Sequence, residues 1–162
     1  MTNYLFFRYA DVLLMYAEAL NESGNMQEAI KWLDKVRTRG GNMPSISETY
    51  SNGVSNTQLR DIIRRDRRVE LAFEDKRWWD ILRWKICDGD NGVMNNPVMG
   101  MLIEDADGDG ILEYTPVEVA DRTFLPRMYL QPIPQYVIDK NPVIREQSGG
   151  EDGWANGQNP GY

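Results

Sequence analysis

The sequence predicts a mainly α-helical fold with a loop-rich C-terminal third that contains a small β-hairpin. Apolar residues recur at helical spacing through residues 1–87. After Cys87 the turn-forming residues Gly, Asn, Asp and Pro become frequent, and the short runs MLIE and ILEY flank an Asp/Gly loop like the arms of a hairpin. We therefore expect residues 1–87 to be helical, and residues 88–162 to form loops, a short hairpin and an extended tail.

The first predicted helix covers residues 4–22 and is apolar nearly all the way round. Only Arg8, Asp11 and Glu18 interrupt its apolar surface. A helix of this kind has to be covered on several sides.

A second predicted helix follows the turn SGN and completes a helical hairpin. Asn25 is a suitable N-cap, Glu28 stands three residues later as in a capping box, and the pair Gly40–Gly41 ends the apolar pattern. The hairpin has the spacing of large and small residues found in a tetratricopeptide repeat. Because stacked helical repeats need about three copies to cover their faces, we expect partner helices outside this chain.

A long third helix is predicted from about Thr57, after a polar loop, with a break near Asp75. On a helical wheel, Leu59, Ile62, Ile63, Val69 and Phe73 form one core-facing stripe. Charged residues fall on the same stripe, and others interrupt the first helix. These residues are Arg8, Asp11, Asp66, Glu70, Arg77 and Asp80.

Charges at core positions cost several kcal/mol each unless they are paired, so we predict a structural ion network among these residues. The favoured pair is Glu70 with Arg8, which joins the third helix to the first.

The composition excludes several classes of partner. The chain has 18 Lys+Arg against 25 Asp+Glu, a net charge of −7, which argues against nucleic acid. The sequence lacks the run of about 18 apolar residues that a membrane-spanning helix needs, and no export signal is recognisable in the sequence as given. The single cysteine, Cys87, rules out an internal disulfide and is expected to be a small buried side chain.

Several stretches resemble, in order, the C-terminal half of the SusD/RagB family. They are RYADVLLMYAEALNE, AIKWLDKVRTRGG, RRVELAFEDKRWWDILRW, LQPIPQYVIDKNP and QNPGY. The resemblance extends over nearly the whole chain and is weakest over about 88–122. Asp66 stands where the family often has Glu, and Asp75 where it often has Gly.

The resemblance implies that residues 1–162 are the C-terminal part of a SusD-like domain whose N-terminal half is absent here. It implies a lipoprotein on the outer face of the outer membrane that captures glycans or other nutrients for a TonB-dependent, SusC-like transporter. It also implies a binding protein and not an enzyme. No cofactor is expected, apart from the calcium ion considered below. The alternative is a helical-repeat adaptor that binds peptides.

Catalysis by paired carboxylates is disfavoured. Glu70 and Glu74 lie one helical turn apart among Arg67, Arg68 and Arg77, which would keep both ionised instead of separating their pKa values. The sequence contains no histidine and no nucleophile motif.

Aromatic residues are candidates for glycan binding, because a flat ring covers the apolar face of a sugar. Trp154 lies in the polar loop GEDGWANGQN, so Trp154 and Asn156 are the candidate ligand-binding residues. Anchoring of the tail to the domain is the alternative role for Trp154. The other four tryptophans, Trp32, Trp78, Trp79 and Trp84, fit helix packing.

The stretch DADGDGILE resembles the start of a calcium-binding loop. Asp105, Asp107, Asp109 and Glu113 occupy its first, third, fifth and ninth positions, and Gly110 the sixth. The twelfth position, which needs a bidentate Glu, is Pro116. Calcium is therefore one interpretation, and an ordinary Asp-Gly turn of a hairpin is the other.

Overall fold

The computed structural model describes residues 6–39, 43–141, 143 and 158–159. The described helices are α1 (Tyr9–Glu22), α2 (Met26–Arg37), α3 (Ile46–Thr49), α4 (Asn56–Glu70), α5 (Arg77–Arg83) and α6 (Gln135–Lys140), with a short 3-10 turn at Pro126–Tyr129. Strands β1 (Val98–Glu104) and β2 (Glu113–Ala120) form one antiparallel hairpin. The predicted fold class, mainly helical with a small hairpin, is confirmed.

The chain divides into two compact units, Met1–Trp79 and Asp80–Tyr162. In the described part of the chain, no helix has both the length and the apolar composition that a bilayer crossing requires.

Helices α1 and α2 form the predicted helical hairpin at the centre of the first unit. Ala17 on α1 and Ala29 on α2 are both fully buried, as is Leu33. Gly24 ends α1 with φ 84°, and the N–H of Asn25 donates to the Leu20 carbonyl at 2.8 Å, as in a Schellman motif. Asn25 occupies the predicted N-cap position of α2, but its side chain makes no capping hydrogen bond. The predicted capping box at this helix is therefore wrong.

Helix α4 packs on this pair and begins at a capping box. Ser55 Oγ accepts from the Gln58 N–H, and Gln58 Oε1 accepts from the Ser55 N–H. Behind the cap, Leu59, Ile62 and Ile63 are buried against α1 and α2.

Helix α4 ends at Glu70, so the core stripe predicted from the sequence is shorter than expected. Val69 is 64% exposed and Phe73 fully exposed. Phe73 and Asp75 both have left-handed backbone conformations, with φ 63° and 57°, which end the helix before α5 starts at Arg77. Phe73 lies beyond the end of α4, where the wheel no longer applies, whereas Val69 lies in the last turn of α4 and is exposed although it falls on the predicted stripe.

The second unit has a small core of its own around Ile81, Cys87 and Phe124. The Tyr129 hydroxyl donates to Asp88 Oδ1 at 2.6 Å and accepts from the Cys87 N–H at 2.8 Å. Cys87 is fully buried, as expected of a structural side chain.

Candidate functional site

Two ion pairs in the first unit are almost completely removed from solvent. Arg67 Nη1 on α4 lies 3.1 Å from Asp11 Oδ1 on α1, with side chains 4% and 3% exposed. Arg37 Nη1 on α2 lies 2.6 Å from Asp66 Oδ2 on α4, with side chains 3% and 6% exposed. Asp66 and Asp11 are therefore both compensated, and each pair joins α4 to a different helix.

A third cluster lies around Arg8, the residue just before α1, and is partly exposed. Arg8 Nη1 lies 2.5 Å from Glu70 Oε1, Arg8 Nε lies 2.8 Å from Glu74 Oε1, and Arg8 also donates to the Glu70 backbone carbonyl. Arg39 Nη2 adds a second cation 2.7 Å from Glu70. The pairing of Arg8 with Glu70 is the one that the sequence favours.

The electrostatics of this cluster keep Glu70 ionised. Burial alone would raise the pKa of Glu70, but hydrogen bonds from Arg8 and Arg39 outweigh it and leave the pKa below its usual range. The hydrogen bond to Glu74 in turn raises the pKa of Arg8. Glu70 and Glu74 thus share one guanidinium, and the lowered pKa of Glu70 does not suit it to act as a proton donor.

The remaining predicted members of the network lie elsewhere. Asp80 falls in the second unit and accepts a salt bridge from Arg83, one turn along α5, at 3.0 Å. Arg77 is the first residue of α5 and is not on a continuation of α4. Both positions follow from the break in α4, which removes these residues from its stripe.

The sequence reasoning missed the two buried cations of the network. Arg37 follows Leu33 by four residues on α2, and Arg67 follows Ile63 by four residues on α4. Both therefore extend a buried stripe by one helical turn, which is the signal that could have identified them.

A small cavity of about 180 Å³ lies beside this network. Its lining consists of Val36, Arg37, Arg39, Met43, Asp66, Val69 and Glu70. The four charged residues in that lining are paired with each other, Arg37 with Asp66 and Arg39 with Glu70. The cavity therefore offers apolar contact and already engaged charges.

The tryptophans of the first unit are less buried than predicted. Trp78 is 38% and Trp79 67% exposed, and both line an open depression of about 450 Å³ with residues of the 71–77 turn. Trp32 does pack in a helical interface, where it contacts the Tyr16 ring edge-on at 5.4 Å between centroids. The helix-packing prediction is therefore wrong for Trp79 and right for Trp32.

The candidate glycan-binding residues Trp154 and Asn156 lie outside the described residues. Nearby, Gln158 pairs with the backbone of Ile133 in both directions: its Oε1 accepts from the N–H at 2.8 Å and its Nε2 donates to the carbonyl at 2.7 Å. Asn159 Nδ2 donates to the Gln131 carbonyl at 2.5 Å. These side chains hold the end of the tail against the LQPIPQ segment.

The acidic turn of the hairpin brings three of the four candidate calcium ligands together. Carboxylate oxygens of Asp105, Asp107 and Asp109 lie within 4.8 Å of one another, and all three residues are exposed. The carboxylate of Asp105 accepts from the N–H groups of Gly108 and Gly110, at 2.7 and 2.9 Å. Within the described residues, Glu113 is not part of this group, because it pairs opposite Glu104 in the strands.

The first unit is a helical scaffold whose buried charges satisfy one another, an arrangement found in folded proteins of every class. Comparison with known proteins gives the particular family. The sequence model of the SusD family matches residues 1–162, and the chain belongs to that family. Proteins of this family are known for binding nutrients and glycans.

Individual relatives agree with this assignment. SusD-like protein P2 of Formosa agariphila is 43% identical over 104 residues, which cover 59% of this chain and 20% of the relative. SusD-like protein P25 of the same organism is 30% identical over 155 residues, or 94% of this chain and 25% of the relative. A crystal structure of a SusD-like protein from Bacteroides fragilis matches 88% of this chain and 25% of that one, with a TM-score of 0.71 and 30% identity. The chain thus spans about a quarter or less of the relatives it matches.

Proposed function

We propose that this chain is part of a cell-surface protein that binds a glycan or related nutrient and delivers it to a TonB-dependent, SusC-like transporter of the outer membrane. The observation that carries the proposal is membership of the SusD family over residues 1–162. On this proposal the protein is a lipoprotein of the outer membrane, and its role is capture without chemical conversion.

The ion pairs support a non-catalytic role. Glycoside hydrolysis requires one carboxylic acid that is protonated near neutral pH and a second carboxylate placed across the scissile bond. In the Arg8 cluster, Glu70 and Glu74 are instead bound to one guanidinium, and the pKa of Glu70 is lowered. The proposed contribution of this region is a rigid support for a ligand site.

Trp154 and Asn156 are the proposed ligand contacts on this chain. The test is affinity electrophoresis of the purified chain through gels that contain a panel of polysaccharides. We expect at least one polysaccharide to retard the chain, and Trp154→Ala to abolish that retardation. Trp79→Ala is the matched control, because it removes an exposed tryptophan from the first unit. Equal retardation of the Trp154 variant and the parent would remove this residue from the site.

Two further assays on the same polysaccharides and on peptides test the two competing functions. Release of reducing ends from a retarding polysaccharide would contradict the non-catalytic proposal. Saturable binding to a peptide library with no retardation by any polysaccharide would instead favour the peptide-binding adaptor.

The proposed location and the proposed transporter partner have to be tested in cells that express the protein. We expect an epitope-tagged protein to fractionate with the outer membrane, to be accessible to external protease and to co-purify with a TonB-dependent transporter. A tagged protein found only in the cytoplasm would contradict this part of the proposal.

A further inference from the structure

The turn between α4 and α5, residues 71–76, has a strained backbone. Phe73 and Asp75 have φ 63° and 57°, in the left-handed region that residues other than glycine enter only at a steric cost. Two such residues within six persist only where the surrounding structure determines their conformation. The contacts of this turn with the rest of the first unit are therefore what holds it.

The sequence of the turn favours a continued helix. Residues 71–76 read LAFEDK, contain neither proline nor glycine, and include four strong helix formers, namely Leu, Ala, Glu and Lys. In a continued helix Glu70 and Glu74 would lie one turn apart and repel each other. A like-charge pair of this kind costs less than two left-handed residues. Local preferences therefore oppose the turn that is observed.

Arg8 ends α4 from outside the helix. Its guanidinium donates to the backbone carbonyl of Glu70, the last residue of α4. If the helix continued, that carbonyl would accept the N–H of Glu74. In the structure the Glu74 N–H donates to the Leu71 carbonyl at 3.2 Å instead, and the Glu74 carboxylate accepts from Arg8 Nε at 2.8 Å. Arg8 thus acts as a C-cap supplied by another part of the chain.

Lys76 fastens the other end of the turn to the same part of the chain. Lys76 Nζ donates to the Phe6 carbonyl at 2.6 Å and lies 3.4 Å from Asp11 Oδ2. Both ends of the turn are therefore bound by residues 6–11, the short segment that enters α1. These contacts join the two segments directly, so they do not depend on what covers the outer surface of the unit.

We propose that residues 6–11 are a strap that holds residues 71–76 in a turned state, and that α4 continues through residues 71–76 when Arg8 is withdrawn. The two states differ in the partner of the Glu70 carbonyl, which is the Arg8 guanidinium in the turned state and the Glu74 N–H in the continued helix. A movement of the chain that enters α1 thereby changes the conformation of the chain that leaves α4. This proposal does not rest on the ligand of the proposed function.

The test compares two arginine variants of the full, isotope-labelled chain by NMR. The sign of φ at residues 73 and 75 is determined from scalar couplings and backbone chemical shifts. We expect both φ values to become negative in Arg8→Met, which removes the donors but keeps an apolar side chain. Arg60→Met is the matched control, because Arg60 also joins α4 to α1, through Glu22 at 2.5 and 2.6 Å. In this control both φ values should stay positive.

A glycine substitution tests whether strain opposes the strap. Asp75→Gly removes the steric cost of the left-handed conformation and makes the continued helix less favourable. Added to Arg8→Met, it should restore the turned state, with a positive φ at Phe73. A φ that remains negative in the double variant would contradict the role given to strain.

A folded Arg8→Met variant with positive φ at both residues would overturn the proposal, and so would negative φ values in Arg60→Met. Arg8→Lys replaces Arg8→Met if circular dichroism shows that variant to be unfolded. Lysine keeps the charge but lacks the planar fork that bonds a carbonyl and two carboxylates at once. We then expect residues 71–76 to exchange between the two states, as seen by relaxation dispersion, and Arg60→Lys to show no such exchange. Absence of exchange in Arg8→Lys would likewise refute the strap.

Discussion

The buried pair of Asp66 and Arg37 provides the sharpest test of the ion network. Asp66→Asn keeps the shape of the side chain but removes its charge, and so leaves the Arg37 guanidinium, 3% exposed, without the carboxylate that lies 2.6 Å from it. Breaking one side of a buried pair costs about 3–5 kcal/mol, because the desolvated partner is left uncompensated. A solvent-exposed pair is worth about 1 kcal/mol or less. The degree of burial here places the pair of Arg37 and Asp66 in the first group.

The free energy of unfolding is measured by urea titration, followed by tryptophan fluorescence and far-UV circular dichroism. For a chain of this length a loss of about 1 kcal/mol lowers Tm by 2–4 °C, so in a thermal melt we expect the Tm of Asp66→Asn to fall by about 6–20 °C. Asp61→Asn is the matched control, because Asp61 lies on the same helix and is exposed. It should change the free energy by less than about 0.5 kcal/mol.

A double-variant cycle separates the pair from its surroundings. Arg37→Met removes the other charge and retains apolar volume, so the double variant with Asp66→Asn should lose less stability than the sum of the two single variants. Strict additivity, or a single-variant loss as small as that of Asp61→Asn, would refute the network interpretation.

Three further outcomes are expected. Glu70→Gln should reduce stability at neutral pH by about 1–2 kcal/mol, since its charge-assisted hydrogen bonds are only partly buried. Because the folded-state pKa of Glu70 is below its unfolded value, this contribution is present above the unfolded pKa of about 4.3 and lost as the pH falls through the folded value. The difference in the free energy of unfolding between the parent chain and Glu70→Gln should therefore become smaller in acid, and a difference independent of pH would contradict this prediction. For calcium, the three aspartates of the turn are exposed and the twelfth loop position is Pro116 in place of a bidentate Glu, so we expect calorimetry to give millimolar affinity at best. Micromolar binding, or a drop in Tm on addition of EDTA, would establish a metal site. Finally, Gln158→Ala removes both hydrogen bonds to Ile133 and should destabilise the second unit by about 1–2 kcal/mol, as seen in amide hydrogen exchange, and unchanged exchange at Ile133 would contradict this role.

The helices of the first unit were predictable because their signals are local and repeated. The spacing of Leu13, Ala17, Ala29 and Leu33 is set by burial on both facing helices, and all four are buried. A break near Asp75 was predicted, and one lies between α4 and α5, but its start at Glu70 was harder to predict because no proline or glycine marks it. Phe73 adopts φ 63° despite a bulky side chain, a conformation that local propensity does not predict.

The cation partners of the ion network were missed for a related reason. A carboxylate on a core stripe signals that a partner exists, but any of several arginines could supply it. Arg67 belongs to the run RRDRR, in which four neighbouring arginines have similar sequence surroundings. Only the packing of α4 against α1 selects Arg67 as the partner of Asp11.

Asp75 shows how a departure from the family pattern acquires a physical meaning. The family often has glycine at this position, and the sequence alone gives no reason for that preference. In the structure Asp75 has φ 57°, a conformation that glycine adopts without a steric penalty and that aspartate tolerates better than most residues. The position therefore favours a residue that tolerates the left-handed conformation, and it lies between Glu70, which binds Arg8, and Lys76, whose Nζ lies 3.4 Å from Asp11. The turn thus brings residues on both of its sides into contact with α1 and its N-cap, and this explains why a break in the helix and a buried ion network occur in one sequence motif.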